Sequence, residues 1–454
     1  MSNVQKTISD FLNDSEALLQ NPEQLTEETT LELYNMLIIC KKTFTENQET
    51  LDVELRVRIC QQIDFLLDHI VETIPFSINA EVNIYTPAIQ SHRRWHNVEL
   101  MKDKGLIGYT LAKEIGAKPI MFFCDENESY DYAKELPDLE LIYTDKETGM
   151  KRPYYNFLRE NYEKMDILIL NGIYFETIEF LSEYRKLRPD GKVFCGLDMS
   201  LLWFGRMEWH HPMVQKCASE CDFIATSCRH VRDVLNRYKD VNFCCHYFPN
   251  GFYNPQNLPI IAEAKQKENI ILSVGRIGTE AKNNEELLEA FARIADKIPS
   301  WSVRLVGSID PRFQPYIEAY FTKYPHLKER VVLTGAIYEK ASLYEEYKKA
   351  KIFALTSPKE GGTPNVYAEA LFHGCMFATS NIDASDDITN NGELGISYTL
   401  GNIDELAEAL LSLCEKSETD HLETHIEQAI SYAKKYYDWE TNAKKLAFAL
   451  TYLP

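Results

Sequence analysis

No apolar run in the 454-residue sequence approaches the roughly 20 residues that a membrane-crossing helix needs. The opening segment MSNVQKTISDFLNDSE also lacks the basic-then-apolar order of a secretory leader. Positive charge is in deficit. The 48 Lys and Arg against 69 Asp and Glu leave a formal net charge of −21. Such a field repels polyanions, which argues against a nucleic-acid partner and against broad contact with anionic lipid. The 11 cysteines form no Cys-x-x-Cys pair and are scattered among apolar residues, as reduced thiols of a cytosolic protein are. The tightest grouping of ligand-type side chains (His210, His211, Cys217, Cys221, Cys228) lacks the paired spacing of a zinc site. No Asp-x-Asp offers a metal clamp, since Asp386 and Asp387 come late in the chain. Neither a metal nor a resident cofactor is expected.

What is there describes a globular protein: 45% hydrophobic and 26% charged residues, at a length that implies two or three domains. Residues 1–78 read as all-helical. Leu33, Leu37, Ile38, Leu55, Ile59, Ile63, Leu66 and Ile70 recur at three- and four-residue spacing, and only Pro22 and Pro75 interrupt. This extension is expected to be a structural cap or an oligomerisation element, which makes a homo-oligomer through residues 1–78 one candidate assembly. Deleting residues 1–75 is expected to leave a folded two-domain core. From Val82 the texture changes to buried strands (Val82–Tyr85, Pro119–Cys124, Asp166–Leu170, Lys192–Leu197, Phe223–Thr226) separated by helices such as Phe175–Leu187 and Arg229–Tyr238. Uninterrupted apolar strands with helical crossovers mean a parallel sheet covered on both faces. The polar, proline-bearing stretch Pro255–Lys267 marks a junction. A second series follows, with strands at Asn269–Val274, Trp301–Val306, Val331–Leu333 and Ile352–Thr356. The fold expected is α/β: two doubly wound Rossmann-like domains facing a cleft, over residues 79–255 and 256–435. A closing helix at 436–454 is expected to pack back on the first of them. Ligands of such sheets bind at the carboxyl ends of the strands.

Two loops carry the chemistry. Leu355–Gly374, LTSPKEGGTPNVYAEALFHG, runs from a strand through paired glycines and two prolines into a helix beginning at Asn365. That unit points backbone N–H groups and a helix N-terminus at an anion. Glu360 and Glu369 frame it, and carboxylates hold hydroxyls; a nucleotide sugar has phosphate and hydroxyls together. The loop Ser273–Asn284 sets Gly275 and Gly278 beside Arg276 and Lys282, two cations just past a strand end and well matched to a diphosphate. In the first half, Gly105 opens a helix where a phosphate or sugar could approach the backbone. Asp198 follows a strand, where an N-cap role is the plain alternative. Ser91–His96 mixes cations with a tryptophan, as a loop touching a lipid phosphate or an acidic glycan would, and a plain solvated loop is the alternative.

The second half resembles the retaining nucleotide-sugar glycosyltransferases of the GT-B fold, family 4. The shared text is VGRIGTEAKNNEELLEAF, LVG, VVLTG and LTSPKEGGTPNVYAEALFHG, strong over residues 269–415 and looser before, through KDKGLIGYTLAKEIGAK, KVFCGLDMS and FPNGF. The resemblance implies that Arg276 and Lys282 hold the donor diphosphate and that Glu360 contacts the transferred sugar. It implies that Glu369 takes the ribose hydroxyls, and that the stretch Gly361, Gly362, Thr363, Pro364, Asn365 and Val366 holds sugar and phosphate through its backbone. Gly105 and Gly275 join the donor set, Asp198 the acceptor side. Eight residues separate Glu360 from Glu369, one more than the family pattern, and Lys282 comes one residue late. The function implied is metal-free, retaining transfer of a hexose, with a UDP-sugar the expected donor, to a glycan or lipid-linked acceptor. Polysaccharide synthesis on the cytoplasmic side, peripheral at the inner membrane face where the acceptor is lipid-linked, is the setting implied. An inactive GT-B subunit that stabilises a partner glycosyltransferase is the competing reading, favoured by the helical extension and the altered glutamate spacing.

Overall fold

The computed structural model describes residues 3–73, 82–88, 97–123, 129–144, 152–254, 258, 263–419 and 421–452. The loop Ser91–His96 lies outside them. The chain divides into two compact units, Met1–Pro255 with Asp438–Pro454 and Gln256–Tyr437.

The first unit begins with three helices, α1 (Asn3–Leu19), α2 (Glu27–Asn47) and α3 (Val53–Thr73). Local chemistry starts two of them. The Thr26 hydroxyl accepts from the Thr29 N–H while Thr29 returns a bond to the Thr26 N–H, with Glu27 and Glu28 at the positive helix end. Asp52 accepts from the Glu54 N–H at 3.0 Å. Then come β1 (Asn83–Pro87), α4 (Asp103–Ile115), β2 (Lys118–Phe123), β3 (Glu140–Tyr143), α5 (Arg152–Asn161), β4 (Ile167–Asn171) and α6 (Phe175–Leu187). β5 (Lys192–Leu197), α7 (Leu201–Phe204), α8 (Pro212–Ser219), β6 (Phe223–Thr226), α9 (Arg229–Arg237) and β7 (Cys245–Tyr247) complete the series. The strands form one parallel sheet in the order β3-β2-β1-β4-β5-β6-β7.

The three N-terminal helices share this unit's core. Leu37, Phe44, Ile59 and Ile63 are buried in the same apolar cluster as Ile84, Ile169 and Phe194 of the sheet. Buried polar groups of α3 also tie it to α9, β7 and the turn between them. The Arg56 guanidinium, 2% exposed, donates to the carbonyls of Asn236 and Tyr238 at 2.7 Å each and to that of Val241, so it caps the end of α9. Asp64 accepts from Arg232 at 2.8 Å, from His246 Nδ1 at 2.8 Å and from the Tyr247 N–H at 3.0 Å. The Lys41 ammonium donates to His246 Nε2 at 3.1 Å. With Nδ1 donating and Nε2 accepting, the imidazole is neutral and fully satisfied. This packing argues against the expectation that residues 1–75 can be removed from a folded core. Their loss would strip Arg232 and His246 of a buried partner and expose an apolar face.

The second unit runs β8 (Glu268–Val274), α10 (Asn284–Ile294), β9 (Ser302–Val306), α11 (Gln314–Lys323), β10 (Val331–Gly335), α12 (Lys340–Lys349), β11 (Ala350–Leu355), α13 (Asn365–Phe372) and β12 (Met376–Ser380). α14 (Ser385–Thr389), β13 (Gly395–Tyr398), α15 (Ile403–Ser417) and α16 (His421–Tyr436) follow. Its six strands are parallel in the order β10-β9-β8-β11-β12-β13. Leu287, Leu288, Phe291 and Ile294 of α10 are buried on one face, each worth about 1.5–3 kcal/mol of apolar burial. The last helix, α17 (Trp439–Tyr452), returns to the first unit, where the Phe448 ring meets Tyr34 of α2 edge-on at 5.0 Å.

Four strands escape the sequence pattern. β3 is a half-exposed edge, β7 has three residues, and β12 and β13 (MFATS, GISY) are short runs diluted by small and polar residues. Among the described residues no helix is long and apolar enough to cross a membrane.

Candidate functional site

In the second sheet the chain goes outward from β8 to β9 and β10, then crosses back to place β11 on the other side of β8. The carboxyl ends of β8 and β11 flank this switch point, where the loops diverge and leave room for a ligand. Both chemistry-bearing loops start there.

The loop after β8 is held in shape from within. Gly278 has φ of 74°, and a Cβ there would meet the Phe313 side chain at 2.2 Å, so only glycine fits. Its N–H donates to the buried Asn284 side chain at 2.8 Å. The loop is also tied to its neighbour across the switch point. Thr356, just past β11, has its hydroxyl oxygen 2.9 Å from both the Lys282 and the Asn283 carbonyl oxygens. That tie delivers the Lys282 ammonium to Glu360 Oε1 at 2.5 Å, with 17% and 18% of the two side chains exposed. The extra residue between the glutamates therefore does not turn Glu360 out to solvent. Arg276 stands exposed on the same loop.

The helix α13 begins at Asn365 behind Pro364, an N-cap residue that makes no side-chain bond to the helix's first N–H groups. Four residues on, Glu369 accepts from the Tyr347 hydroxyl at 2.7 Å and from the Lys340 ammonium at 3.3 Å. Burial, with Glu369 adding to it, pushes the Tyr347 phenol well above its ordinary range, so it stays a donor. Thr363 is buried, while Gly361, Pro364, Asn365 and Val366 are partly exposed. The structure thus gathers Gly275, Lys282, Glu360 and the start of α13 around one pair of strand ends.

The candidates in the first unit lie at its own strand ends. Asp198 lines a cavity of about 20 Å³ with Asp103, Asn171, Ser227 and Asn250, past the ends of β4, β5 and β6. Asp103 escaped the sequence reading although it stands two residues before Gly105; burial pushes its carboxyl up, and Lys104 and Lys102 oppose this. At Gly105 a Cβ would meet the Leu100 carbonyl oxygen at 2.2 Å. Packing against that turn accounts for this glycine without a ligand. Tyr347 and Lys340 also escaped, because nothing in the spacing of a helix shows that its side chains reach a carboxylate on the next one. Among the described residues no group of three or more His, Cys, Asp or Glu is placed to hold a metal, and ten cysteines are free thiols.

Residues 268–416 match the family model described as Glycosyl transferases group 1. No curated relative matches the sequence. Among solved structures the chain is similar to the lipopolysaccharide outer core galactosyltransferase WaaB in its apo form, at 18% identity and a TM-score of 0.57 over 82% of this chain and 99% of that one. It is similar to Anabaena HepE in complex with UDP, at 15% identity and a TM-score of 0.62 over 82% and 99% of the two chains. A glycosyltransferase from Rickettsia africae gives 16% identity and a TM-score of 0.62 over 83% and 99%. At these identities the likeness establishes the fold: two parallel-sheet α/β domains of the GT-B type.

Proposed function

We propose that this chain is a glycosyltransferase that moves a hexose from a nucleoside diphosphate donor to a glycan or lipid-linked acceptor. The observation that carries the reading is the meeting at one switch point of Lys282, Glu360 and the N-terminus of α13, with Arg276 exposed on the same loop, inside the segment matched by the group 1 glycosyltransferase model. A UDP-sugar is the proposed donor. HepE, which shares the fold, is seen with UDP and with UDP-glucose.

The chemistry follows from charge. As the bond between the anomeric carbon and the diphosphate oxygen breaks, the sugar gains oxocarbenium character and negative charge grows on the leaving group. Arg276, Lys282 and the first N–H groups of α13 stabilise that charge as preorganised donors. Two cations and a helix end match a diphosphate without a metal ion, and we propose that they act alone. Glu360 meets the transferred sugar and Glu369 the ribose diol. Asp198 serves the acceptor side. Retention of configuration is proposed from the resemblance to family 4, and a place in polysaccharide synthesis at the cytoplasmic face of a membrane from the acceptor class.

A thermal-shift panel of nucleoside mono- and diphosphates and nucleotide sugars tests this. A ligand that binds only the folded state raises the melting temperature by mass action. One diphosphate series should stand out, and the shift should disappear in Arg276→Ala combined with Lys282→Ala. A flat panel, or a shift that survives both substitutions, overturns the reading.

A further inference from the structure

Glu369 is not presented by its own helix alone. Tyr347, the eighth residue of α12, is fully buried and donates its hydroxyl to Glu369 Oε2 at 2.7 Å. Its ring is clamped, stacking on His373 at a centroid distance of 5.6 Å and an interplanar angle of 19°. Its backbone is fixed too. The buried Lys267 ammonium donates to the carbonyls of Tyr347 at 3.3 Å, Ala350 at 2.7 Å and His373 at 2.5 Å, so one cation joins the carboxyl ends of α12 and α13. The two helices that carry Tyr347 and Glu369 are thus locked to each other from beneath.

We propose that Tyr347 is a positioning residue that fixes the Glu369 carboxylate for a vicinal diol. An ionised carboxylate offers about four lone-pair sites. Tyr347 takes one of them in a rigid geometry, which sets the plane of the group. Lys340, on the more exposed side, reaches the other oxygen only at 3.3 Å and with 26% of its side chain exposed. Its contact gives way to a hydroxyl pair while that of Tyr347 stays. A carboxylate whose rotation is already frozen loses little further freedom on receiving two hydroxyls, which is the advantage of preorganisation. This inference rests on the reading of Glu369 as the ribose ligand of a nucleoside diphosphate.

The test compares uridine, guanosine and adenosine diphosphates with their 2′,3′-dideoxy counterparts by calorimetric titration. Wild type, Tyr347→Phe and Glu369→Gln are each titrated. Wild type should prefer the hydroxylated form of its nucleotide by about tenfold or more, and Glu369→Gln should remove that preference. Tyr347→Phe, which keeps the stacked ring, should weaken the hydroxylated ligand about 5- to 20-fold and leave the dideoxy ligand within about twofold. Three outcomes overturn the proposal: Tyr347→Phe keeps the full preference, it weakens both ligands equally as a merely structural change would, or wild type shows no preference. The last alone also sinks the ribose role of Glu369, whereas the first two, with the preference lost in Glu369→Gln, leave that role standing.

Discussion

The Lys282–Glu360 pair makes an unusual demand on the donor site. The ammonium proposed to meet the diphosphate is paired with the Glu360 carboxylate at 2.5 Å. Donor binding must then exchange one anion for another. Glu360→Gln keeps the shape and removes the charge. With both side chains mostly covered, an effective dielectric near 20 gives the pair about 6–7 kcal/mol of Coulomb attraction. Desolvation and the remaining amide acceptor offset most of that, and a charge-assisted hydrogen bond nets only about 1.5–3 kcal/mol. Glu360→Gln should therefore bind nucleoside diphosphate more tightly than wild type by about 1.5 kcal/mol, roughly tenfold, while transfer slows because the proposed sugar contact is gone. Lys282→Ala should lose more affinity than Arg276→Ala, since it removes a cation and leaves Glu360 facing the phosphates; adding Glu360→Gln to it should restore part of the loss. Calorimetry on the four variants, with a donor-hydrolysis or transfer assay beside it, reads both effects. An unchanged or weaker affinity in Glu360→Gln, or a double variant that recovers none of the Lys282→Ala loss, refutes the argument.

Arg276→Ala removes one charge-assisted phosphate contact and should weaken nucleoside diphosphate binding by about 1.5–3 kcal/mol with the melting temperature unchanged; calorimetry and a thermal melt decide it. Asp64→Ala leaves Arg232 and His246 without their buried partner and should cost about 3–5 kcal/mol of stability in urea unfolding. Deletion of residues 1–75 should go further and leave no cooperative melt, so a soluble, sharply melting truncated protein would contradict the packing argument. Burial lowers His246 and His425 to about 4 and His373 to about 3, against about 6.5 in an unfolded chain. Between those limits the unfolded state binds protons that the native state refuses. Stability is thus fully present above pH 6.5 and lost as pH falls, by about 2 kcal/mol per histidine at pH 5; urea midpoints that hold steady from pH 7.5 to 5 would disprove it.

The sequence alone determined the fold class. Runs such as Ile167–Leu170 and Val193–Cys195 are apolar on both sides because a parallel sheet covered by helices has no wet face, and that pattern is local. The glycine loop with Arg276 and Lys282, and the two-glutamate stretch behind it, were legible for the same reason: the turn chemistry and the charges sit within a few residues of each other. Pairings between distant segments were not legible. That Lys282 reaches Glu360, that Tyr347 reaches Glu369 and that Arg56 caps α9 depend on which strands are neighbours and how two helices are clocked. Sequence spacing carries neither. The N-terminal helices show the limit best. Their apolar stripes announced burial, but only the tertiary structure decided against what, because Asp64 and Arg56 find their partners some 170 to 185 residues away in α9, β7 and the turn between them.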